Sequence, residues 1–240
     1  FGFGKGSVSM SPMCVATNAS QDGYYYTLAD DGAMTQVGST DTSQNYDIGK
    51  IDTAFYQNAF YTSSNTDLIK NSVDLATRDT SYWVATKGQT AFTAASPHPM
   101  VVYGDILYIA DTQYIHQIDG ATATAQVLNL GTGWVITSIV SYNNLIYIAA
   151  EQYWNYSATY HGVAKMFTWD GYSASWLDEW ELNYRVSAMY VFDNVLYMWR
   201  SDDMGYWDGS RYKGLRPTNG QVYKSQITEC QNSLFYADQT

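Results

Sequence analysis

The feature that most constrains this chain is a short pattern that recurs along it. An apolar run is followed by two small polar residues and then by a second apolar run that reaches a tyrosine. The clearest copy lies within the stretch Met100 to Gly120, MVVYGDILYIADTQYIHQIDG. The tyrosines that mark the copies are Tyr61, Tyr108, Tyr147, Tyr197 and Tyr236. A polar pair between two apolar runs is typical of a tight turn between antiparallel strands, so each copy predicts a β-hairpin.

Three of the copies continue into a second hairpin, because an Asp-Gly pair follows between two further strand-like segments. These pairs are Asp119-Gly120, Asp170-Gly171 and Asp208-Gly209. Asp-Gly favours a tight turn, since glycine accepts a positive φ and aspartate forms turns readily. A complete repeat is therefore predicted to hold four antiparallel strands. The copy at Tyr61 lacks the Asp-Gly pair, and its later strands are predicted at Asp67–Asn71 and Tyr82–Thr86.

The spacing of the repeats predicts a β-propeller. Successive marker tyrosines are 47, 39, 50 and 39 residues apart, and periods of about 40 to 50 residues with four strands each are typical of propeller blades. The last copy stops after its second strand, while Tyr24 to Val37 supplies two strands near the N-terminus. Pairing the two ends would complete a fifth blade and remove the exposed strand edges. The alternative has Val8 to Val37 as a blade of its own, in a propeller of at least six.

Composition agrees with an all-β domain and excludes some partners. The 23 tyrosines, 8 tryptophans and low charged fraction of 15% favour strands over helices. The net charge of −11 disfavours nucleic acid, and no apolar run approaches the length of a membrane span. We expect an N-terminal arm over residues 1–23, in which Gly2, Gly4 and Gly6 belong to a flexible segment, and a single propeller over residues 24–240. Cys14 and Cys230 could pair across the closure, although two separate buried thiols are favoured.

On these repeats the chain resembles β-propeller repeat proteins, over roughly residues 20 to 240. Its strands, rich in Tyr, Asn and Thr, low in charge and poor in cysteine, look most like the propellers of tailed-phage virion proteins, including the tail nozzle. The Gly-His and Trp-Asp pairs of WD repeats and the double glycine of kelch repeats are absent at the defining positions. The resemblance implies a structural role in an assembly and transfers no functional residue.

Nothing in the sequence indicates catalysis, a metal or a cofactor. His98, His116 and His161 are expected in different blades and at different repeat positions, which disfavours a shared metal site. The segment Ser201 to Trp207 resembles the Asp box of sialidases but is one residue short and occurs once. A pair of carboxylates across the channel would still allow glycoside hydrolysis. No catalytic residue and no metal ligand is therefore assigned.

The candidate binding site is an insertion in the repeat at Tyr147. About 12 extra residues separate its second and third strands, and they include the aromatic set Tyr153, Trp154, Tyr156, Tyr160 and His161. In a propeller this connection lies on the same face as the links between blades, which adds Trp134. Exposed aromatic residues can stack on sugar rings or anchor a protein partner. A long hairpin that packs these residues onto its own blade is an equal alternative.

These observations together predict a non-catalytic structural or binding module. Its partners are expected to be other protein subunits of a virion or a surface assembly, which places it in a virion, outside the cell or on a cell surface. A carbohydrate-binding, lectin-like propeller is the first alternative and a glycoside hydrolase the second.

Overall fold

The computed structural model describes residues 24–28, 34–39, 52–74, 76–156, 159–200, 203–218, 222–230 and 233–236. Of these, residues 24–28, 34–39, 153–156, 159–161, 225 and 230 are described by their backbone alone. The described residues form 20 β-strands, one π-helical turn and one 3₁₀ turn. The protein is an all-β propeller built from four-stranded antiparallel blades, which confirms the predicted fold class.

Four blades are complete, and in each the strands pair in chain order. Blade 1 comprises β3 (Thr53–Tyr56), β4 (Ala59–Ser63), β5 (Leu68–Ser72) and β6 (Arg78–Asp79); blade 2 comprises β7 (Met100–Tyr103), β8 (Ile106–Asp111), β9 (Tyr114–Asp119) and β10 (Thr122–Asn129); blade 3 comprises β11 (Trp134–Tyr142), β12 (Leu145–Tyr156), β13 (Thr159–Trp169) and β14 (Asp178–Leu182); blade 4 comprises β15 (Val186–Phe192), β16 (Val195–Arg200), β17 (Asp203–Trp207) and β18 (Tyr212–Pro217).

Two shorter hairpins account for the remaining strands. β1 (Tyr24–Leu28) pairs with β2 (Met34–Ser39), and β19 (Ile227–Cys230) pairs with β20 (Ser233–Tyr236). The 3₁₀ turn Lys224–Gln226 leads into β19. The described strands therefore form four complete blades and not the five or six predicted, because β1 and β2 form a sheet separate from β19 and β20.

The polar pairs read from the sequence form the turns between the first and second strands. Both central residues have positive φ in all four blades: Gln57 and Asn58, Gly104 and Asp105, Asn143 and Asn144, and Asp193 and Asn194. Two consecutive positive φ values define the type I′ turn, which matches the right-handed twist of a hairpin and favours Asn, Asp and Gly. The polar pairs recur in the sequence because each of these turns needs residues that accept positive φ.

The core lies between neighbouring blades, where the face of one blade packs on the face of the next. In β8, Tyr108 and Ala110 pack towards blade 3, whereas Leu107 and Ile109 pack towards blade 1. The first strands contact one another in the order β3, β7, β11 and β15. Buried hydroxyl groups join them: Thr137 donates to the carbonyl of Val186 at 2.6 Å. The buried polar group is thus hydrogen-bonded within an otherwise apolar contact between first strands.

The predicted strand at Tyr82–Thr86 is wrong, because these residues form the π-helical turn. The side chain of Asp67 holds it in place by accepting hydrogen bonds from the backbone N–H groups of Trp83 and Val84, at 2.9 and 3.1 Å. The indole of Trp83 is fully buried and donates to the carbonyl of Thr90 at 2.9 Å. The fourth strand of blade 1 is instead the two-residue β6.

The last repeat is shifted by one residue from the predicted alignment. Cys230 pairs with Ser233, so two residues, 231 and 232, separate the strands, and Phe235 takes the position that tyrosine holds in the other repeats. Tyr236 consequently packs towards blade 4, with its ring centroid 5.5 Å from that of Trp199. Tyr236 was therefore the wrong marker for this repeat.

Candidate functional site

The aromatic insertion is an extension of two strands and not a loop. β12 and β13 continue to pair through Tyr153 with Gly162, Trp154 with His161, Asn155 with Tyr160, and Tyr156 with Thr159. All five predicted aromatic and histidine positions therefore lie on paired strands on either side of residues 157–158. We call residues 153–162 the ribbon.

The ribbon extends beyond the neighbouring strands of blade 3. β11 pairs with β12 only as far as Gln152, opposite Trp134, and β14 pairs with β13 only from Ala164, opposite Leu182. Among the described strands, the ribbon's outer backbone edges therefore have no ladder partner. Unpaired N–H and C=O groups on a strand edge can pair with a strand from another chain.

Trp134 lies at the base of the ribbon but is already engaged within blade 3. Its ring centroid is 5.4 Å from that of Phe167 in an edge-on arrangement, and the ammonium group of Lys165 lies 5.8 Å from the ring. Trp134 is half-buried. Trp134 thus lies next to the ribbon, opposite Gln152, and its ring packs on Phe167 within blade 3.

A pocket of about 460 Å³ opens at the opposite end of blades 3 and 4. This end, which we call the turn end, carries the turns between first and second strands and between third and fourth strands. The pocket is lined by residues that include Tyr142, Asn143 and Tyr147 from blade 3 and Tyr197, Trp207 and Gly209 from blade 4. A concave site with aromatic walls and a few polar groups is the usual form of a small binding site.

Electrostatics at this pocket are fixed by Asp208 and Tyr147. Hydrogen bonds from the backbone N–H groups of Arg211 and Ser210 lower the pKa of Asp208 to about 2, so the carboxylate is ionised at neutral pH. Lys213 lies 3.6 Å from it. Burial raises the pKa of Tyr147, with smaller contributions from Tyr142 and Asp178, and its hydroxyl remains a donor.

This pocket was not predicted from the sequence, although two of its residues mark the repeats. Tyr147 and Tyr197 were used as repeat markers, which gave their strand positions but not the width of the space beside them. The available signal was the four-residue turn 208–211, which is shorter than the corresponding connection of blade 3.

Two of the three histidines lie near each other, because His98, in the segment before β7, and His116, on β9, both pack on Phe92 at 5.0 and 5.8 Å between ring centroids. The Nε2 of His98 lies 3.4 Å from the carboxylate of Asp111, which also accepts the backbone N–H of Thr93 at 3.1 Å. Nδ1 of His116 accepts the N–H of Gln126 at 3.2 Å. Burial lowers the pKa of His116 to about 4, partly offset by the charge of Asp111. Within the described part of the chain, no three His, Cys, Asp or Glu residues cluster as metal ligands.

The segment that resembles an Asp box has its described carboxylate committed to an ion pair. Arg200 donates two hydrogen bonds to Asp203, both at 2.6 Å. Burial raises the pKa of Asp203, but the hydrogen bonds from Arg200 and Tyr212 and the charge of Arg200 outweigh it, so the net shift is downwards. A carboxyl group held ionised in this way is unsuited to act as a general acid.

No helix among the described residues is long and apolar enough to cross a membrane. No family model and no curated protein matches the sequence.

Solved structures provide the comparison with known proteins. The chain is similar to Sqt1 of Saccharomyces cerevisiae, with a TM-score of 0.54 and 12% identity over 87% of this chain and 60% of that one. Weaker likenesses are to a mitotic checkpoint complex structure (TM-score 0.46, 9% identity, 92% of this chain and 85% of that one) and to the N-terminal domain of Nup159 (0.42, 9%, 88% and 77%). The chain spans 60% of the Sqt1 structure's length, and at such identity the likeness supports the propeller fold alone.

Proposed function

We propose that this chain is a non-catalytic β-propeller binding module that contacts other protein subunits through the ribbon. The observation that carries the proposal is the unpaired outer edge of β12 and β13 beyond Gln152 and Ala164, among the described strands. A two-stranded ribbon is marginally stable in water by itself, so a partner strand that pairs with it stabilises both. Tyr153, Trp154, Tyr156, Tyr160 and His161 are the proposed contact residues, with Trp134 at the base.

A protein partner is favoured over a sugar because strand edges recognise backbone groups, which sugars lack. The carbohydrate-binding alternative rests on the aromatic composition of the same ribbon. The ion pair between Arg200 and Asp203 counts against the hydrolase alternative. Location in a virion or on a cell surface rests on the resemblance in strand composition to tailed-phage propellers.

We also propose that the propeller is one domain over residues 24–240, preceded by an arm, and that a fifth blade completes it from both chain ends. Two contacts and one exposed ring support this. β19 and β20 pack against blade 4 through Val222, Ile227 and Leu234. Ser187 donates to the carbonyl of Val222 at 2.7 Å. The ring of Phe55 is 53% exposed on the face of blade 1 that a closing blade would cover.

The test of the binding role removes the ribbon without disturbing the blade. Residues 153–162 are replaced by Asn-Gly, which joins Gln152 to Val163 at an existing pair through a two-residue turn. The trimmed protein should keep its melting temperature and lose its partner subunit from the assembly it is purified with. A photo-crosslinking residue at Tyr156 should join that subunit, whereas one at Tyr114 in blade 2 should not.

Two results would count against the proposal. The trimmed protein could retain the partner, which would place the interface elsewhere. Alternatively, a glycan array could show sugar binding that disappears on trimming, which would support the lectin-like alternative in place of protein contact.

A further inference from the structure

The interface between blades 2 and 3 and the interface between blades 3 and 4 are built from equivalent residues. Residues of the two interfaces are equivalent when they hold the same position in the strand pairing of their blades. The equivalent pairs are Tyr103 and Tyr142, Tyr108 and Tyr147, Trp169 and Trp207, and Gly171 and Gly209. The interface between blades 2 and 3 is closed, whereas the interface between blades 3 and 4 holds the turn-end pocket. The contacts of the closed interface therefore indicate which groups could fill the pocket.

In the closed interface, the connection between β13 and β14 supplies two main-chain acceptors. The hydroxyl of Tyr108 donates to the carbonyl of Gly171 at 3.0 Å, and the indole N–H of Trp169 donates to the carbonyl of Ser173 at 2.7 Å. The contact is tight, because a Cβ placed on Gly171 would lie 3.0 Å from the hydroxyl of Tyr108. Main chain therefore fills the space beside this tyrosine.

In the open interface the same groups have no such partner. A Cβ placed on Gly209 would have nothing within 4 Å, so the space next to this glycine is open. Trp207 is only 4% exposed, and its buried indole nitrogen has no hydrogen-bond acceptor among the described residues. Tyr147 makes no hydrogen bond through its hydroxyl to any residue that the structure describes. An unsatisfied buried donor costs about 1–3 kcal/mol, so an acceptor here would be stabilising.

The difference follows from the length of the connection. Eight residues, 170–177, join β13 to β14, and Trp176 from this connection packs on Phe167 at 5.4 Å. Only four residues, 208–211, join β17 to β18. Pairing between β16 and β17 also ends at Tyr197 and Tyr206, one pair earlier than in blade 3. The short turn cannot reach the space that the long connection fills.

We infer that the turn-end pocket binds a peptide segment of a partner protein in the position that residues 170–177 occupy in the preceding interface. A main-chain carbonyl of the peptide accepts the hydrogen bond of the Tyr147 hydroxyl, and an apolar or aromatic side chain packs against Tyr142 and Trp207. The exposed side chain of Leu215 adds apolar contact at the rim. This site lies at the opposite end of blade 3 from the ribbon and goes beyond the proposed function.

The experiment selects peptides from a displayed random library on the wild-type protein, with counter-selection on Ser210→Tyr. This substitution places a tyrosine at the position equivalent to Tyr172, whose hydroxyl lies 2.9 Å from a Cβ placed on Gly104 of the preceding blade. The selected peptides should bind the wild type and not Ser210→Tyr. Tyr147→Phe should weaken them about 3- to 10-fold, as expected for the loss of one hydrogen bond.

The matched control is Tyr114→Phe, which removes a phenol hydroxyl from blade 2 outside the pocket and should leave peptide affinity unchanged. The ribbon-trimmed protein should bind the peptides normally, so failure of this inference is separable from failure of the proposed function. The inference is overturned if no peptide is enriched over Ser210→Tyr, if enriched peptides are indifferent to Tyr147→Phe, or if a glycan and no peptide occupies the pocket.

Discussion

Lys224 reaches across the propeller to Asp52, with 2.7 Å between Nζ and Oδ2, and so joins the 3₁₀ turn after blade 4 to the residue that precedes blade 1. The same carboxylate oxygen accepts the backbone N–H of Met100 at 2.8 Å. The ammonium group also donates to the carbonyl of Met100. One ion pair therefore ties blade 1, blade 2 and the C-terminal segment together, across 172 residues of sequence.

Lys224→Met should destabilise the protein, because it leaves the Asp52 carboxylate without its cation while only 7% of that side chain is exposed. We expect a loss of about 2–3 kcal/mol in the free energy of unfolding, measured by denaturant titration. Lys213→Met is the control, since Lys213 faces Asp208 at 3.6 Å on an open turn and such pairs contribute about 0–1 kcal/mol. Equal losses would show that the ion pair of Lys224 with Asp52 does not hold the C-terminal segment against blade 1 in solution.

His116 should make the protein less stable in mild acid. Its pKa is about 4 in the folded state against 6.5 when unperturbed, mainly because burial disfavours the charged ring. The unfolded chain therefore binds the extra proton first, and stability falls as the pH drops from about 6.5 to about 4. The loss from this residue is on the order of 3 kcal/mol by linkage.

The check is to measure unfolding free energy against pH for the wild type and for His116→Asn. The amide oxygen of asparagine can accept the N–H of Gln126, and the side chain does not titrate in this range. The variant should lose less stability over this window. Asp111, whose pKa is lowered by His98 and the Thr93 N–H despite burial, contributes its own loss only at lower pH. Parallel curves for the two proteins would contradict the prediction.

The parts of the fold that the sequence predicted are those governed by local turn chemistry. Asn143 and Asn144 both need positive φ, and Asp170 accepts the N–H groups of Tyr172 and Ser173 to close its own turn. Such requirements act over a few residues, so they can be read directly from the chain. Strand order within each blade followed from them.

Features that depend on distant contacts were not predictable in this way. Tyr82–Thr86 has strand-like composition, but Asp67, about 16 residues away, supplies the acceptor that selects a helical turn. The register of β20 is set by where β19 ends, and one residue of shift exchanges the two faces of the strand. The pocket depends on the gap between residues 208–211 and Tyr147, which lie in different blades, and the length of the turn does not by itself give that gap.

Gly205→Ala should be strongly destabilising, whereas Gly214→Ala should be tolerated. The two glycines face each other across β17 and β18. A Cβ on Gly205 would collide with the carbonyl of Lys213 and lie 2.7 Å from the hydroxyl of Tyr212, while the nearest atom for Gly214 is a carboxylate oxygen at 3.3 Å. Overpacking typically costs about 1–3 kcal/mol. Thermal unfolding of both variants measures the difference, and similar melting temperatures would refute the close packing of Tyr212 over Gly205.

Removing the tyrosine hydroxyl at the same repeat position should change the stability of the protein by different amounts in blades 2 and 3. Tyr108→Phe deletes a fully buried hydrogen bond and leaves the carbonyl of Gly171 unpaired, so we expect a loss of about 1 kcal/mol. Tyr147→Phe should change stability by less than about 0.5 kcal/mol, because no described residue accepts its hydroxyl. Denaturant titration of the two variants gives the comparison directly. An equal loss would mean that the turn of blade 4 closes onto Tyr147 in solution, and the pocket proposed to receive a peptide would then be filled by the chain itself.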